Sequence, residues 1–521
     1  MNKTVKTLLG LLAVGLVALT SCKQDRSEPQ QQNEGTTYVS VAVGLQSGMR
    51  ADGADDNQYN AAGKWNGKDA IETVDVYVVS KGLVSFGQYS KGDFKITNAS
   101  ADPADDGKAI TLTPNRAILT TPGEKEVYVL LNAPEKVRAL LKESLPNNFK
   151  AAYNKAVEMN TSEIARANAS KEDLIMMTNA KDCKITVQDG VTNDEALKPT
   201  STNHASVQVK RAVARVLLTS TAATYDIKYA DGKTMGTISN ITYSVAQGEK
   251  TFYLSQKKDA QGVILTPAYA FLPKANATDP TKLDNYAEQG AAYDYSDLFN
   301  KDRSALVATD LTAAVEIGKK SLESSAFIFE ASHKFGESGQ TYANYTGNFR
   351  RGNTPYVLVR TKFVPAMFAN NAEKTLYEAG DGTFYLGEDG LFYGGNQITD
   401  GEGNTLRPDQ KYVPYLKGKV LYYAFVNPDN IKQTLNAPAY RNNIYHISVK
   451  GFKALGTNWN PLYPEDPDTD DPTNPDPKPD DDPSNPPFNP DDPNTPEETY
   501  MAVDVAVIPW NVHSYEIELS L

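Results

Sequence analysis

The sequence predicts a mainly β protein of the sandwich type, and two observations carry that expectation. Apolar residues alternate with a period of two through most of the chain, in short runs bounded by Gly, Pro, Asn or Asp. Helical signals, by contrast, gather mainly in one stretch after Pro134. The first strand is predicted over residues 37–45, where Val39, Val41, Val43 and Leu45 fall on one face. Similar runs lie at 73–80, 109–113, 126–132, 206–219, 237–245, 262–271, 325–329, 356–363, 419–426 and 443–449. Many close spacings of this kind favour sandwiches over crossover folds.

Helices are expected at 134–142, with Pro134 suited to a first helical position, at 147–159, and from Thr161 onward. They form a small helical insertion between strands. Residues 376–395 carry Asp381-Gly382 and Asp389-Gly390 between aromatic runs, which predicts an exposed β-hairpin arm.

Composition excludes several functions. The chain has 521 residues with only 2 Cys and 4 His, so neither a disulfide scaffold nor a Cys/His zinc site is expected, and no cofactor or metal is implied. The net charge of −13 is concentrated: residues 464–498 hold 13 Asp+Glu and one Lys, a net of −12, which leaves −1 for the rest. A near-neutral folded part lacks the basic face that nucleic acid requires. No G-x-S-x-G, H-E-x-x-H, P-loop or dinucleotide fingerprint occurs; Gly336-Glu337-Ser338-Gly339-Gln340 fails at its last position. The chain is expected not to be an enzyme.

The N-terminus indicates export. Lys3 and Lys6 precede an apolar stretch over residues 8–19, and Leu19-Thr20-Ser21-Cys22 follows. This resembles the bacterial lipobox, with 1–21 as signal peptide and Cys22 as the lipidation site. Residues 22–50 then form a lipid-anchored segment that includes the first strand. With Cys22 acylated, Cys183 has no partner for an intrachain disulfide.

The second composition break spans 464–498, where 12 of the 30 prolines alternate with Asp, Asn and Thr. Such a stretch buries too little apolar surface to offset its ordering entropy, so an extended leash is expected. Asp466, Asp468 and Asp470 imitate a calcium loop, but Asp471 replaces the required Gly and Pro477 the required Glu. After the leash, Val503, Val505, Val507, Tyr515, Ile517, Leu519 and Leu521 all fall on the odd-numbered face, and Pro509 interrupts the ladder before Trp510. A terminal strand of this kind either closes its own sheet or augments a neighbour's.

Several segments together carry a family resemblance: the Cys22 lipobox, the strand before Arg50-Ala51, residues 126–133, residues 209–216, Arg441-Asn442-Asn443-Ile444-Tyr445-His446-Ile447, and Val507-Ile508-Pro509-Trp510. Their order across almost the whole chain resembles the FimA/Mfa-like fimbrillins of type V pili, and most of all shaft subunits of the Porphyromonas-type minor fimbrium. The resemblance implies two transthyretin-like β-sandwich domains, at 51–222 and 223–463. It also implies cleavage after Arg50, before Ala51, by an arginine-specific protease, which releases the first strand. The C-terminal strand at 499–521 would then fill the vacated groove of another subunit. Implied partners are copies of itself, a membrane anchor subunit, accessory tip subunits, and host or bacterial receptors. The implied role is adhesion and biofilm formation from a surface fimbrium, reached through an outer-membrane lipoprotein.

The residues agree with that mechanism. Arg50 stands in a polar, Gly-containing stretch suited to proteolysis. A sandwich that loses a strand exposes an apolar trough with unpaired backbone groups, which an alternating strand satisfies. Rival readings are a SusD-like outer-membrane nutrient-binding lipoprotein, a class that is mainly helical, an accessory tip or anchor subunit, and a secreted glycan hydrolase, for which no carboxylate pair stands out. Lys91-Gly92-Asp93 reads as a turn.

Overall fold

The computed structural model describes residues 35–45, 70–98, 110–267 except 171, parts of 290–333, 349–395, 412–427, 437–460, Leu462, Asn494 and the backbone of 501–509. Among them, strands dominate. Ten strands share one sheet: β1 (Thr37–Leu45), β2 (Thr73–Ser80), β3 (Leu83–Ser90), β4 (Phe94–Asn98), β5 (Ile110–Pro114), β6 (Ile118–Thr120), β7 (Gly123–Leu131), β8 (Met177–Asn179), β9 (Lys184–Val187) and β10 (His204–Arg211). Their order is β3-β2-β7-β8-β10-β1-β5-β4, with β9 also on β7 and β6 also on β1. Val39, Val41 and Val43 of β1 share a core with Val74, Val76 and Val78 of β2, Val127 and Val129 of β7, and Val207 and Val209 of β10. Strands distant in sheet order therefore face one another, and the sheet folds over as a sandwich. The alternation in each strand decides which residues enter that core.

The other face of β2 and β7 carries the helical insertion. Helices α1 (Glu135–Glu143) and α2 (Phe149–Asn154) lay Val137, Leu141, Phe149 and Tyr153 against Tyr77, Val79 and Leu130. Two expectations fail here. Ala156–Glu158 leaves the predicted second helix and pairs with Thr251–Tyr253, and Ala165–Ala167 pairs with Asp173–Ile175 after the single turn of α3 (Thr161–Ile164). Local helix propensity loses in both places to backbone partners that the rest of the chain supplies.

The second half contains β11 (Ala214–Ser220), β12 (Tyr225–Lys228), β13 (Thr234–Ala246), β14 (Leu306–Val307), β15 (Ala326–Ile328), β16 (Tyr356–Pro365), β17 (Phe384–Gly387), β18 (Phe392–Tyr393), β19 (Tyr412–Tyr415), β20 (Lys419–Phe425), β21 (Asn443–Phe452) and β22 (Met501–Pro509). One sheet runs β14-β11-β21-β22 with β15 on β11; a second runs β12-β13-β16-β20. Val216, Leu218, Ile447 and Val449 of the first meet Ile238, Tyr243, Val357, Val359 and Val420 of the second in a common core.

Sheet membership changes ahead of residue 222, where the break between halves was expected. The run read as one strand over 206–219 divides at Ala212-Val213: β10 stays in the first sheet, and β11 enters the second, parallel to β21. Apolar alternation continues across the division because both sides of the switch are buried, with Ala212, Val213 and Ala214 each at 0 % exposure. The expected hairpin forms across Asp389-Gly390, where β17 and β18 pair antiparallel, but it is neither a free arm nor as long as expected. Leu376–Ala379 belongs to α4 (Asn371–Ala379), and Phe384, Phe392 and Tyr415 of β17, β18 and β19 are buried in the second core. Of the leash, only Asn494 is described; it is fully buried and donates to Thr354 Oγ1 at 2.9 Å, so the leash is anchored to the fold at that residue.

The two halves share more than a linker. Phe252, Leu254, Phe329 and Ile444 enter the cluster formed by the helical insertion, with the Phe252 and Phe329 rings stacked 4.4 Å apart. Buried Arg441 pairs with Glu330 at 2.8 Å and donates to the carbonyls of Tyr253 and Leu254 at 2.7 and 3.0 Å. Breaking one partner of such a pair strands a buried charge, which holds the junction to one geometry.

Candidate functional site

The site is built around β1, the segment that cleavage at Arg50 would free. Its Cα partners run parallel to β10 from Ser40↔His204 to Leu45↔Val209, and antiparallel to β5 from Val43↔Leu112 to Leu45↔Ile110. Its first turn of residues, Thr37 to Val39, pairs with β6. On the opposite edge Tyr38 N donates to Val191 O and Ser40 N to Asn203 O, both at 3.0 Å. The strand is thus held along both edges. Val39, Val41 and Val43 are 0, 3 and 1 % exposed, each such valine being worth about 1.5–3 kcal/mol in apolar burial. Leu45 packs at the rim of the same core.

Polar groups clasp the start of β1. Thr37 Oγ1 donates to Gln188 O at 2.6 Å and accepts from Val191 N at 3.1 Å. Asn203 Nδ2 reaches Tyr38 O and Gln188 O, both at 2.9 Å. Ser40 Oγ donates to Ala196 O and stands 2.7 Å from His204 Nδ1, which leaves the ring nitrogen to act as donor. Sequence reasoning did not find Asn203 or His204. No local pattern marks them, since their partners on β1 lie more than 160 residues away. A Cβ at Gly44 would come within 2.4 Å of Gln208 Nε2, the far end of an exposed, flexible side chain that can turn aside.

The C-terminal strand is placed differently. β22 pairs antiparallel with β21, with Val503, Val505 and Val507 opposite Val449, Ile447 and Tyr445. The sequence left open where this strand rests; in the described chain it closes its own sheet as the last strand in the order. Next to it on β21, His446 faces Ala506 in register, shares a 2.8 Å hydrogen bond with Thr219 Oγ1, and is pushed down to about 4 by burial. Cys22, Arg50, Ala51, Trp510, Tyr515, Ile517, Leu519 and Leu521 lie outside the described residues. Cys183 is half-buried, and burial pushes its thiol pKa up, away from reactive thiolate character.

A family profile described as "Major fimbrial subunit protein type IV, Fimbrillin, C-terminal" matches residues 414–516, the stretch from β19 through β21 and β22 into the C-terminus. Two curated sequences, both named minor fimbrium subunit Mfa1 of Porphyromonas gingivalis, are 32 % identical over 98 % of this chain and 98 % of their own length. The chain belongs to the fimbrillin family. Among solved structures, a fimbrilin from Porphyromonas gingivalis W83 is 13 % identical, covering 92 % of this chain and 99 % of its own, with a TM-score of 0.38. The tip fimbrial protein Mfa3 from Porphyromonas gingivalis is 11 % identical, covering 79 % of this chain and 95 % of its own, with a TM-score of 0.30.

Within this fimbrillin the segments that carried the resemblance have structural roles. Residues 209–216 and 441–447 build the junction between the halves, where Arg211 donates to Asn442 Oδ1 at 3.3 Å. Asn132, at the end of the 126–133 segment, has φ 50° and ties β7 to the chain entering β2 by accepting from Glu72 N at 2.9 Å.

Proposed function

We propose that this fimbrillin is a structural subunit of a bacterial surface fimbrium, and that it polymerises head-to-tail by strand exchange. It is a building block, with no chemistry to perform on a substrate. The observation that carries this reading is the position of β1: a buried strand gripped on both edges, whose covalent connection to the strands that hold it runs through the segment containing Arg50. Cleavage after Arg50 leaves β1 without a covalent tether to the strands around it, and its departure opens a groove with unpaired backbone along β10, β5 and β6 over an apolar floor. The alternating C-terminal segment of another subunit satisfies both at once. Donor and acceptor lie on different parts of the subunit, so the contact is heterologous and yields an open filament.

In this reading Cys22 carries the precursor to the outer membrane, and an arginine-specific protease releases it into an extracellular fimbrium. The relatives named minor fimbrium subunit support assembly into a fimbrium, and in this reading a membrane anchor subunit and accessory tip subunits are further partners, with host or bacterial receptors as the adhesion targets. The domain division is proposed as 51–213 and 214–463, followed by the leash and donor segment.

Electron microscopy of surface filaments tests the reading. Arg50→Ala retains β1 and yields folded monomers without filaments; filaments of wild-type length from this variant would refute it. Cys22→Ala abolishes incorporation of labelled fatty acid and leaves the protein unanchored. Label retained by the variant assigns the anchor elsewhere.

A further inference from the structure

We infer a specific register for the exchange: residues 503–507 of one subunit take the places of Val39–Val43 of the next, running in the same direction, with Asp504 set beside His204. This inference rests on the strand-exchange reading above. It starts from a match between the two strands. Val39-Ser40-Val41-Ala42-Val43 and Val503-Asp504-Val505-Ala506-Val507 are identical at four of five positions, with Ser40 and Asp504 the only difference. A donor in this register returns three valines to the floor that Val39, Val41 and Val43 now occupy, with no change of volume. The match is confined to this part of the C-terminus; the apolar positions further on are Tyr515, Ile517, Leu519 and Leu521, whose bulk differs from that of the three valines.

The apolar alternation alone reads the same in both directions, so the even-numbered residues decide polarity. In the same sense, Asp504 falls at Ser40, where His204 Nδ1 is a hydrogen-bond donor 2.7 Å from the present hydroxyl. Reversed, Asp504 falls at Ala42, which is 6 % exposed and has no polar side-chain atom to satisfy. Burying an unpaired carboxylate there is the costlier outcome. In the favoured sense the carboxylate receives a charge-assisted hydrogen bond, and the Ala196 carbonyl gives up the Ser40 hydroxyl that now donates to it. Two further positions fit. Ile508 falls at Gly44, where the nearest obstacle is the end of the exposed Gln208 side chain, free to turn outward. Pro509 falls at Leu45, the last residue of the ladder, where a missing N–H does least harm.

Disulfide trapping tests the register in full-length chains carrying Cys183→Ser, expressed in fimbriated cells. Ala42 pairs with Ser206, so the inference places Ala506 opposite Ser206 of the next subunit. Directly facing residues on adjacent strands lie within the roughly 4.4–6.8 Å between Cα atoms that a disulfide spans. Ser206→Cys with Ala506→Cys should give a ladder of covalent multimers on non-reducing gels of sheared filaments. Ala506→Cys with Gln208→Cys, one repeat out of register, should not. A ladder from Ser206→Cys with Glu518→Cys, and none from Ala506→Cys, overturns the register while leaving strand exchange standing. Filaments without a ladder from either pair overturn the register and its direction, and the Arg50→Ala filament test then decides separately whether strand exchange stands.

Rates of assembly supply a second readout. Asp504→Lys should slow polymerisation roughly tenfold or more by setting a cation against the His204 donor, whereas Asp504→Ser, which restores the residue at position 40, should assemble at least as fast as wild type. Equal rates for Asp504→Lys and wild type, with monomer melting temperatures unchanged, overturn the placement of Asp504 beside His204.

Discussion

β1 and β22 are strands of nine residues each with the same valine alternation, yet the fold treats them in opposite ways. β1 sits inside its sheet with backbone partners on both edges, whereas among the described residues β22 ends its sheet with β21 as its one strand partner. The difference teaches what each strand needs before it can move. A strand held on two edges over a valine floor does not leave while the chain still ties it in place, so proteolysis is the natural trigger. A strand held on one edge exchanges partners by peeling, and the backbone groups it leaves on β21 remain accessible to water.

The contrast can be broken most sharply by one charge placed in each strand. Val41→Asp should destabilise the folded chain by about 4 kcal/mol or more, because the carboxylate enters a core with no counter-charge. Val505→Asp should lower monomer stability by less than half as much and act mainly on assembly. Chemical denaturation of both variants decides it, and equal losses would mean that β22 is as integral to the monomer as β1.

Removal of residues 500–521 should have a smaller effect on folding. β21 keeps its parallel partner β11, so the monomer stays folded, while the β21 amides that face β22 lose protection in hydrogen exchange and no filaments form. Global unfolding of the truncated chain would show that β22 is required for the second core.

Acidity gives a finer probe of the β22 side. His446 is buried and held to about 4, below the usual histidine value near 6.5, so the folded state favours the neutral ring. The unfolded chain then binds a proton first as pH falls. Stability contributed by this group is present above about 6.5 and lost between there and about 4, to an extent of roughly 3 kcal/mol. His333, held to about 4 by burial, adds a loss in the same window, while Glu249, raised to about 8, adds stability as pH falls from 8 toward 4.5. Replacing His446 with Gln should therefore flatten the acid limb of the melting curve between pH 6.5 and 4. An unchanged slope would exclude His446 as its source.

The smallest expected effect is at Gln208. Gln208→Ala should leave monomer stability within about 0.5 kcal/mol, since the side chain is exposed, and should leave filament growth no slower than wild type. Slower growth in a seeded assembly assay would show that this side chain grips the donor.

Strand character was readable because it is local: short runs rich in β-branched and aromatic residues over 37–45, 73–80 or 419–426 report strands, although both faces of 73–80 and 419–425 prove to be buried. The concentration of acid and proline over 464–498 is likewise a property of a short window. Helical signals were less dependable where a partner strand intervened, as at Ala156–Glu158. The division between the halves was also hidden, because Ala212 and Val213 are buried and interrupt nothing in the apolar pattern.

By itself, then, the sequence determined that β1 and β22 are strands and which of their residues share a face. Only the tertiary structure decided that one lies between two neighbours and the other on an edge. It alone brought Asn203 and His204, from the far end of the first half, onto the start of β1. The physical reason is range. Side-chain periodicity follows from backbone geometry within a few residues, whereas sheet order is settled by hydrogen bonds and valine packing between segments more than a hundred residues apart, for which a single sequence carries no local mark.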